Sequence, residues 1–310
     1  MVTKVPGTRG HVMEESADTA ARIAEMGREL GPQVLQALGA LYGDQQRALA
    51  DAMPVSVQDV AYGPHARHRL DIYRPKSDAL SPIFVFVHGG GFLKGDKGDN
   101  GSLANTNMGR VAARAGFLGV VINYRLAPDH VWPAGAEDVA AVVAWLKANA
   151  ADHGGDPGQV ILCGTSAGAV HVSGYVKHVG SAQAEADVRG LILLSGLYGY
   201  TPPDARDALY TGDPALYPQR WTKDALAQVQ LPIMACCAEF DPVRFQTEWI
   251  GLMDDLLRHN GGLPAGGVVR GHNHYSITMH IGGDDDRLEQ ELIAFAAHAC
   301  SMGAAKAFGR

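Results

Sequence analysis

The chain has little that would suit a membrane, a secretory pathway or a nucleic acid. A formal net charge of −7 and a pI near 6.0 give its 310 residues no basic face for a nucleic acid. No segment is apolar for long enough to span a bilayer. Met1–Glu15 lacks the apolar run of a signal peptide. These absences predict a cytoplasmic protein with no membrane span and no nucleic-acid partner.

Cysteine is also scarce, and the four cysteines follow no metal-like or disulfide-like spacing. Cys163, Cys236 and Cys237 lie inside apolar, strand-like runs, where a thiol behaves as a small hydrophobe. Reduced core residues of a cytoplasmic protein are the better interpretation. His272 and His274 alternate along the chain, but no set of carboxylate or thiolate ligands accompanies them. We therefore expect neither a metal nor another cofactor.

What the chain does contain is a regular alternation of short apolar runs and helical segments from Ile83 onward. The runs are Ile83–Val87, Leu118–Ile122, Val160–Cys163, Leu191–Leu194, Ile233–Cys237 and Val268–Val269. Runs that are apolar on both faces suit central strands of a parallel sheet. Ala136–Ala150 and Glu248–Asn260 are long enough for crossover helices. The pattern predicts a doubly wound α/β fold.

Two segments stand outside this alternation. Residues 17–52 predict two amphipathic helices interrupted near Gly31–Pro32, and Val55–Val60 with His68–Tyr73 predicts an antiparallel strand pair. Residues 198–230 are rich in aromatic residues and proline, which suits a lid or pocket wall and equally a packed surface excursion. We therefore divide the chain into N-terminal helices over residues 1–53 and an α/β domain over residues 54–310, with a cap-like insertion at about 198–230.

A serine stands at a sharp turn from strand to helix. Val160–Cys163 leads into Gly164-Thr-Ser166-Ala-Gly168, and Ala169–Val179 follows as a predicted helix. Such a turn holds the serine in a strained backbone conformation. Glycine two residues before and after the serine removes the Cβ atoms that would collide. Because the serine then lies at a strand's C-terminal end, near a helix N-terminus that favours negative charge, Ser166 is the candidate nucleophile.

A glycine loop, His88-Gly-Gly-Gly91 followed by Phe92, comes directly after the run Ile83–Val87. Backbone N–H groups of such a loop stabilise a tetrahedral oxyanion, and losing one donor costs about 3–4 kcal/mol. We assign the N–H groups of Gly90 and Gly91 as donors, with that of Ala167 as the third. The alternatives are a flexible turn and a phosphate loop, but no Gly-x-x-x-x-Gly-Lys pattern is present. The loop and the serine turn together favour a hydrolase.

Three motifs together resemble the hormone-sensitive-lipase-like branch of the α/β-hydrolases. They are His88-Gly-Gly-Gly91, Tyr124-Arg-Leu-Ala-Pro128 and Gly164-Thr-Ser-Ala-Gly168. The second is the most specific, because the resemblance continues from Tyr124 to Asp138. It covers the chain from about Leu70 to the C-terminus. It implies an α/β-hydrolase fold, with a mostly parallel central sheet flanked by helices and a helical cap to which the N-terminal helices contribute.

The chain departs from that branch in three places. Phe245 follows Asp241-Pro-Val-Arg244 where an acidic residue is common, and Tyr-Ser follows His274 where Gly-Phe is common. The cap-like insertion is also short. These departures leave the catalytic group intact, and they point toward smaller esterases similar to feruloyl and acetyl-xylan esterases and to kynurenine formamidase.

A serine nucleophile needs a base and an orienting carboxylate, in the chain order Ser, Asp or Glu, His. Glu239 and Asp241 both end a buried run; Asp241 matches the family motif and precedes Pro242, so we prefer it. His272 and His274 compete for the base. The family places this histidine three residues after a glycine, which favours His274, with His272 as the runner-up.

The residues therefore predict a serine carboxylesterase that hydrolyses short-chain or aryl esters, small-molecule substrates, through an acyl-enzyme and without a cofactor. An arylformamidase with the same triad is the alternative, and a non-catalytic binding protein of this fold is a third hypothesis. Oligomeric state is left open, a homodimer included. Five aromatic side chains are candidates for the substrate pocket, although ordinary packing is the better explanation for each of them taken singly: Phe92, Trp132, Tyr198, Tyr217 and Trp221.

Overall fold

A mostly parallel sheet of eight strands runs through the part of the chain that the computed structural model describes, residues 18–98 and 103–307, with side chains described up to residue 302. The prediction for Met1–Glu15 and the start of the predicted N-terminal helical segment lie outside these residues. The strands are β1 Val57–Ala61, β2 Arg69–Tyr73, β3 Ser81–Val87, β4 Leu118–Ile122, β5 Gly155–Thr165, β6 Gly190–Leu194, β7 Ile233–Phe240 and β8 Val268–Asn273. Their order across the sheet is β1-β2-β4-β3-β5-β6-β7-β8.

The pairing agrees with the predicted fold. β1 and β2 pair antiparallel, β2 joins β4 antiparallel, and all pairs from β4 to β8 are parallel. The predicted doubly wound α/β fold with two leading antiparallel strands is confirmed. The strands β5 and β8 are longer than their apolar runs, because hydrogen bonds to a neighbouring strand extend each of them through polar residues.

Helices cover both faces of the sheet. They are α1 over residues 18–26, α2 Pro32–Ala52, α3 Thr106–Arg114, α4 Ala134–Asn149, α5 Ala167–Val179, α6 Ser181–Asp187, α7 Ala205–Thr211, α8 Tyr217–Arg220, α9 Lys223–Gln228, α10 Val243–Asn260, α11 Ser276–Met279 and α12 Arg287–Ala307. The break between α1 and α2 falls where Gly31–Pro32 predicts it. No helix in the described ranges is long and apolar enough to cross a bilayer.

Side-chain alternation along the strands divides the core into two layers. In β3, Val85 and Val87 belong to the cluster that contains residues of α4, α5 and α10, whereas Phe84 and Phe86 belong to the cluster that contains residues of α3 and α12. Successive strand residues point to opposite faces, so an apolar run must be covered twice. The four cysteines are buried and form no disulfide. This agrees with the core role predicted for Cys163, Cys236 and Cys237.

A buried carboxylate of α10, Glu248, holds the start of the insertion over residues 198–230. Glu248 accepts hydrogen bonds from the backbone N–H groups of Tyr198 at 2.6 Å, Gly199 at 2.9 Å, Tyr200 at 3.1 Å and Thr201 at 2.6 Å. Its side chain is almost fully buried. A carboxylate that accepts several N–H bonds is strongly held, and these donors would lack acceptors without it.

We expect Glu248→Ala to lower the free energy of unfolding by about 3–5 kcal/mol, because it leaves several buried N–H groups unpaired and removes the anchor of the insertion. Glu291→Ala, which changes an exposed glutamate of α12, is the matched control and should cost less than about 0.5 kcal/mol. Urea titration followed by far-UV circular dichroism measures both. Equal midpoints for the two variants would contradict this account of the insertion.

Candidate active site

Ser166 lies at the sharp turn between β5 and α5, in a strained backbone conformation. Its φ of 53° and ψ of −120° are unusual for a residue with a side chain. A close approach at Gly168 and a backbone hydrogen bond hold this turn in place. A Cβ atom at Gly168 would lie 2.0 Å from the carbonyl oxygen of Val87, so only glycine lets the start of α5 pack against the end of β3. The Ser166 N–H donates to the carbonyl of Leu194 at 2.8 Å, which ties the turn to β6.

His274 and Asp241 complete a line of hydrogen bonds with this serine. Ser166 Oγ lies 3.0 Å from His274 Nε2, and His274 Nδ1 lies 2.6 Å from Asp241 Oδ1. Ser166 directly follows β5, Asp241 follows β7 and His274 follows β8. The carboxyl ends of these parallel strands lie at one edge of the sheet, so the three side chains meet there. Because a carboxylate only accepts hydrogen bonds, Nδ1 carries the proton and Nε2 is left to accept the serine O–H.

The competing carboxylate and histidine lie elsewhere. Glu239, within β7, accepts from the Gly271 N–H at 2.8 Å and pairs with Arg270 at 3.0 Å, so its side chain is held by the neighbouring strand β8. His272 is buried, with Nδ1 3.2 Å from Ser276 Oγ and Nε2 3.3 Å from Asp285. Among the described residues, no group of three or more His, Cys, Asp or Glu side chains is placed to hold a metal.

The glycine loop brings unpaired N–H groups to the serine. Gly90, Gly91 and Ala167 line the same cavity as Ser166, and none of their N–H groups donates to another described residue. Gly91 has a φ of 58°, in the left-handed region that favours glycine. Three free donors beside a hydroxyl that faces an imidazole can stabilise an oxyanion formed on a carbonyl carbon.

This fold recurs in solved esterase structures. A carbohydrate esterase from gut microbiota aligns with a TM-score of 0.67 at 21% identity, covering 81% of this chain and 98% of that one. The esterase LipW from Mycobacterium marinum aligns with a TM-score of 0.63 at 21% identity, covering 97% of this chain and 92% of that one. The chain has the α/β-hydrolase fold.

Sequence comparison agrees with this placement. The model of the family described as BD-FAE matches residues 70–187 of the chain. The carboxylic ester hydrolase LipN of Mycobacterium tuberculosis is 38% identical over 130 residues, which are 39% of this chain and 33% of LipN. The match thus spans about a third of that relative's length. The predicted resemblance to the carboxylesterase branch of the α/β-hydrolases is confirmed.

The segment Tyr124–Pro128 supports the glycine loop, a role that the sequence did not reveal. The Tyr124 O–H donates to the carbonyl of His88 at 2.9 Å, and the two rings stack with centroids 4.4 Å apart. Arg125 donates to the buried carboxylate of Asp138 at 2.7 Å through both its backbone N–H and its Nε. The segment thereby connects the loop to α4. The family resemblance of this segment marked it as important in the sequence. Its support of the glycine loop could not be predicted, because that support depends on contacts between residues distant in the chain.

Sequence reasoning also missed the residues that hold Asp241. Ser195 Oγ donates to Asp241 Oδ2 at 2.6 Å, and the Ala238 N–H donates to the same oxygen at 2.7 Å. Arg28, between α1 and α2, donates to the backbone carbonyl of Asp241. Two fixed donors on one carboxylate oxygen leave the other oxygen directed at His274. A serine directly after β6 was the only signal, since it stands at the same sheet edge as the nucleophile.

A cavity of about 560 Å³ lies in front of Ser166. Of the five aromatic candidates for the substrate pocket, only Phe92 lines it. All five line a neighbouring cavity of about 50 Å³, beside the insertion. Phe92 stacks on Tyr210 with ring centroids 4.5 Å apart, which places the insertion's buried aromatic layer behind the site. The main cavity instead receives Leu30 and Leu35 from the N-terminal helical segment.

Three buried histidines near the site are held neutral by their surroundings. Burial lowers the pKa of His88 to about 4 and the pKa values of His171 and His280 to about 3. His88 Nδ1 lies 2.6 Å from the carbonyl of Gly89 and donates to it. A histidine with a lowered folded pKa contributes stability that is complete above its unfolded pKa of about 6.5 and is lost as the pH falls toward the folded value.

We expect the thermal midpoint to fall between pH 7.5 and pH 5, and His171→Phe to make that fall shallower. At pH 5, a buried neutral histidine costs about 2 kcal/mol relative to pH 7.5, because the unfolded chain binds a proton that the folded chain does not. Phenylalanine keeps the aromatic contacts of His171 with Phe92 and Tyr210 and removes the titration. His298→Asn, at an exposed histidine, should leave the pH dependence unchanged; equal slopes in the two variants would contradict the assignment.

Proposed function

We propose that this α/β-hydrolase is a serine carboxylesterase, with Ser166 as nucleophile, His274 as general base and acid, and Asp241 as the orienting carboxylate. The observation that carries the proposal is the continuous line from Ser166 Oγ through His274 to Asp241, at 3.0 Å and 2.6 Å, open to a cavity lined by free backbone N–H groups. The names of the relatives, carboxylic ester hydrolases and esterases, support the same activity.

The proposed reaction has two steps. His274 Nε2 takes the Ser166 proton as Oγ attacks the acyl carbon, and the carbonyl oxygen becomes an oxyanion held by the N–H groups of Gly90, Gly91 and Ala167. The C–O bond to the alcohol breaks as His274 returns the proton to the leaving oxygen. Water then attacks the acyl-enzyme by the same route, releasing the acid and the free serine.

Substrate size follows from the cavity. About 560 Å³ admits a short acyl chain together with a small or aryl alcohol. Its wall combines Leu30, Leu35 and Phe245 with polar residues. We therefore propose short-chain or aryl carboxylic esters as the substrate class, consistent with relatives named for carboxylic esters and, in one structural case, for carbohydrate esters.

A kinetic panel combined with covalent labelling tests the proposal. The purified protein should hydrolyse p-nitrophenyl acetate and butyrate, and a fluorophosphonate probe should add one mole per mole of chain, on the peptide that contains Ser166. Aryl formamides belong in the same panel: a higher kcat/KM for N-formylkynurenine than for phenyl acetate would identify an arylformamidase instead. A chain that neither turns over an ester nor takes up the probe would be a binding protein of this fold, and the proposal would be wrong.

A further inference from the structure

Within the described part of the chain, Arg206 is a cation without a carboxylate partner, at the wall of the cavity in front of Ser166. It lies in the first turn of α7 and is exposed, and among the described residues its side chain makes no ion pair and no hydrogen bond. The guanidinium packs on the glycine loop. A Cβ atom at Gly91 would lie 2.7 Å from its Cζ and Nε and 2.8 Å from its Nη2. The cation therefore stands beside one of the proposed oxyanion donors.

The nearest carboxylates in the sequence are occupied by other groups. Asp204 Oδ1 accepts from the backbone N–H groups of Arg206 and Asp207, and its Oδ2 pairs with Arg244 at 3.0 Å. Asp207 Oδ2 also pairs with Arg244 and accepts from the Asp204 N–H. Arg244 thus holds both acids, and the side chain of Arg206 is left unneutralised at the cavity. Its charge acts on the facing wall, where it opposes the effect of burial on the pKa of Tyr275.

An unpaired guanidinium in a substrate cavity is suited to binding a carboxylate group of a ligand. Its planar set of N–H donors fits the two oxygens of a carboxylate. The chain carries a net charge of −7, so a cation at this position does not reflect a generally basic surface. We propose that Arg206 binds a carboxylate of the substrate, so that the preferred esters carry a free carboxylate close to the scissile bond. This inference rests on the proposed esterase function.

Two pairs of matched esters test the proposal, each differing only by a carboxylate in place of a methyl group. The first pair is p-nitrophenyl hemisuccinate and p-nitrophenyl butyrate, which places the charge on the acyl side. The second is 4-acetoxybenzoate and 4-acetoxytoluene, which places it on the alcohol side. For each pair, the ratio of kcat/KM values for the charged and neutral esters is measured in the wild type and in R206Q, R206K and R258Q.

R206Q should lower the charged-to-neutral ratio about tenfold in at least one pair, because a charge-assisted hydrogen bond at a partly solvated site is lost. R206K should keep most of the ratio. R258Q is the charge-matched control, since Arg258 is exposed on α10, pairs with Asp254 and does not line the cavity. Raising the ionic strength from about 0.05 M to about 0.5 M should reduce the wild-type ratio through screening.

The outcomes separate this inference from the function on which it rests. If the wild type hydrolyses the neutral esters and R206Q leaves both ratios unchanged, the carboxylate site is wrong and the esterase proposal stands. An equal loss in R258Q would mean that net charge, and not the cavity cation, sets the ratio, and it would likewise overturn the site. If the wild type hydrolyses none of the four esters, both proposals fall. Thermal midpoints of the variants confirm that each is folded.

Discussion

Ser166→Ala should lower kcat for p-nitrophenyl butyrate by about 10⁵-fold while leaving the thermal midpoint close to that of the wild type. The loss is this large because the proposed reaction depends on attack by this hydroxyl, which lies 3.0 Å from His274 Nε2. The fold should persist, since the Ser166 N–H bond to Leu194 belongs to the backbone and survives the substitution. Alanine also relieves no strain, because φ stays positive at this turn.

A double variant tests whether the serine and histidine act as one unit. Residues of a triad contribute non-additively, so Ser166→Ala with His274→Ala should be no slower than Ser166→Ala alone. The fluorophosphonate probe should label the wild type and neither variant. Retention of more than about 1% of the wild-type kcat by Ser166→Ala would reject the assignment of the nucleophile, because such activity exceeds what binding and oxyanion donors leave behind.

Asp241→Asn should lower kcat by about 10⁴-fold, with KM little changed. The reason is the direction of the hydrogen bonds at this carboxylate. Ser195 and the Ala238 N–H both donate to Oδ2, so the carbonyl oxygen of an asparagine would face them and its amide group would face His274. That amide donates where Oδ1 accepted, at 2.6 Å from His274 Nδ1. The imidazole would then carry its proton on Nε2, where it cannot accept one from Ser166.

Glu239→Gln is the matched control for this prediction, two residues before Asp241 at the end of β7. Glu239 binds Arg270 and the Gly271 N–H, so its change should alter kcat by less than about threefold. The two variants are compared by steady-state kinetics over the same pH range, with urea titration to confirm folding. If Glu239→Gln lost as much activity as Asp241→Asn, the orienting carboxylate would be misassigned.

The fold was largely predictable from the sequence because its signals are local. A run that is apolar on both faces can only be a covered strand, and Leu118–Ile122 became β4 with the predicted bounds. β8 extended well beyond Val268–Val269, through Arg270 to Asn273, because pairing with β7 satisfies its backbone at the edge of the sheet. The apolar run alone does not predict that the strand continues through these polar residues.

The candidate site was predictable where its geometry is built into a few consecutive residues. Gly164–Gly168 specifies a turn that few other residues could make, and His88–Gly91 specifies an open backbone. The choices between Glu239 and Asp241, and between His272 and His274, required the family resemblance. The direction of each of these side chains depends on where its strand ends in the sheet.

The pocket was the least predictable part, for the same physical reason. Aromatic content marked residues 198–230, but burial turned Tyr198 and Tyr210 inward, and the wall of the main cavity came from Leu30, Arg206 and Phe245 instead. No short sequence pattern predicts that these three residues line the cavity. Their only common property is that folding brings them to one side of Ser166.

The alternation of strands and helices, the strained turn at Ser166 and the open glycine loop could be predicted from the order of residues, because steric limits on the backbone act between near neighbours. The folded structure was needed to show which carboxylate faces the imidazole, that Ser195 and Tyr124 support the site, and that Arg206 makes no ion pair among the described residues. Those outcomes join residues that are far apart in the chain, such as Ser166 and His274, 108 positions apart. These contacts depend on the order of the strands in the sheet and on the packing of the crossover helices, because both bring side chains that are distant in the chain to the same place.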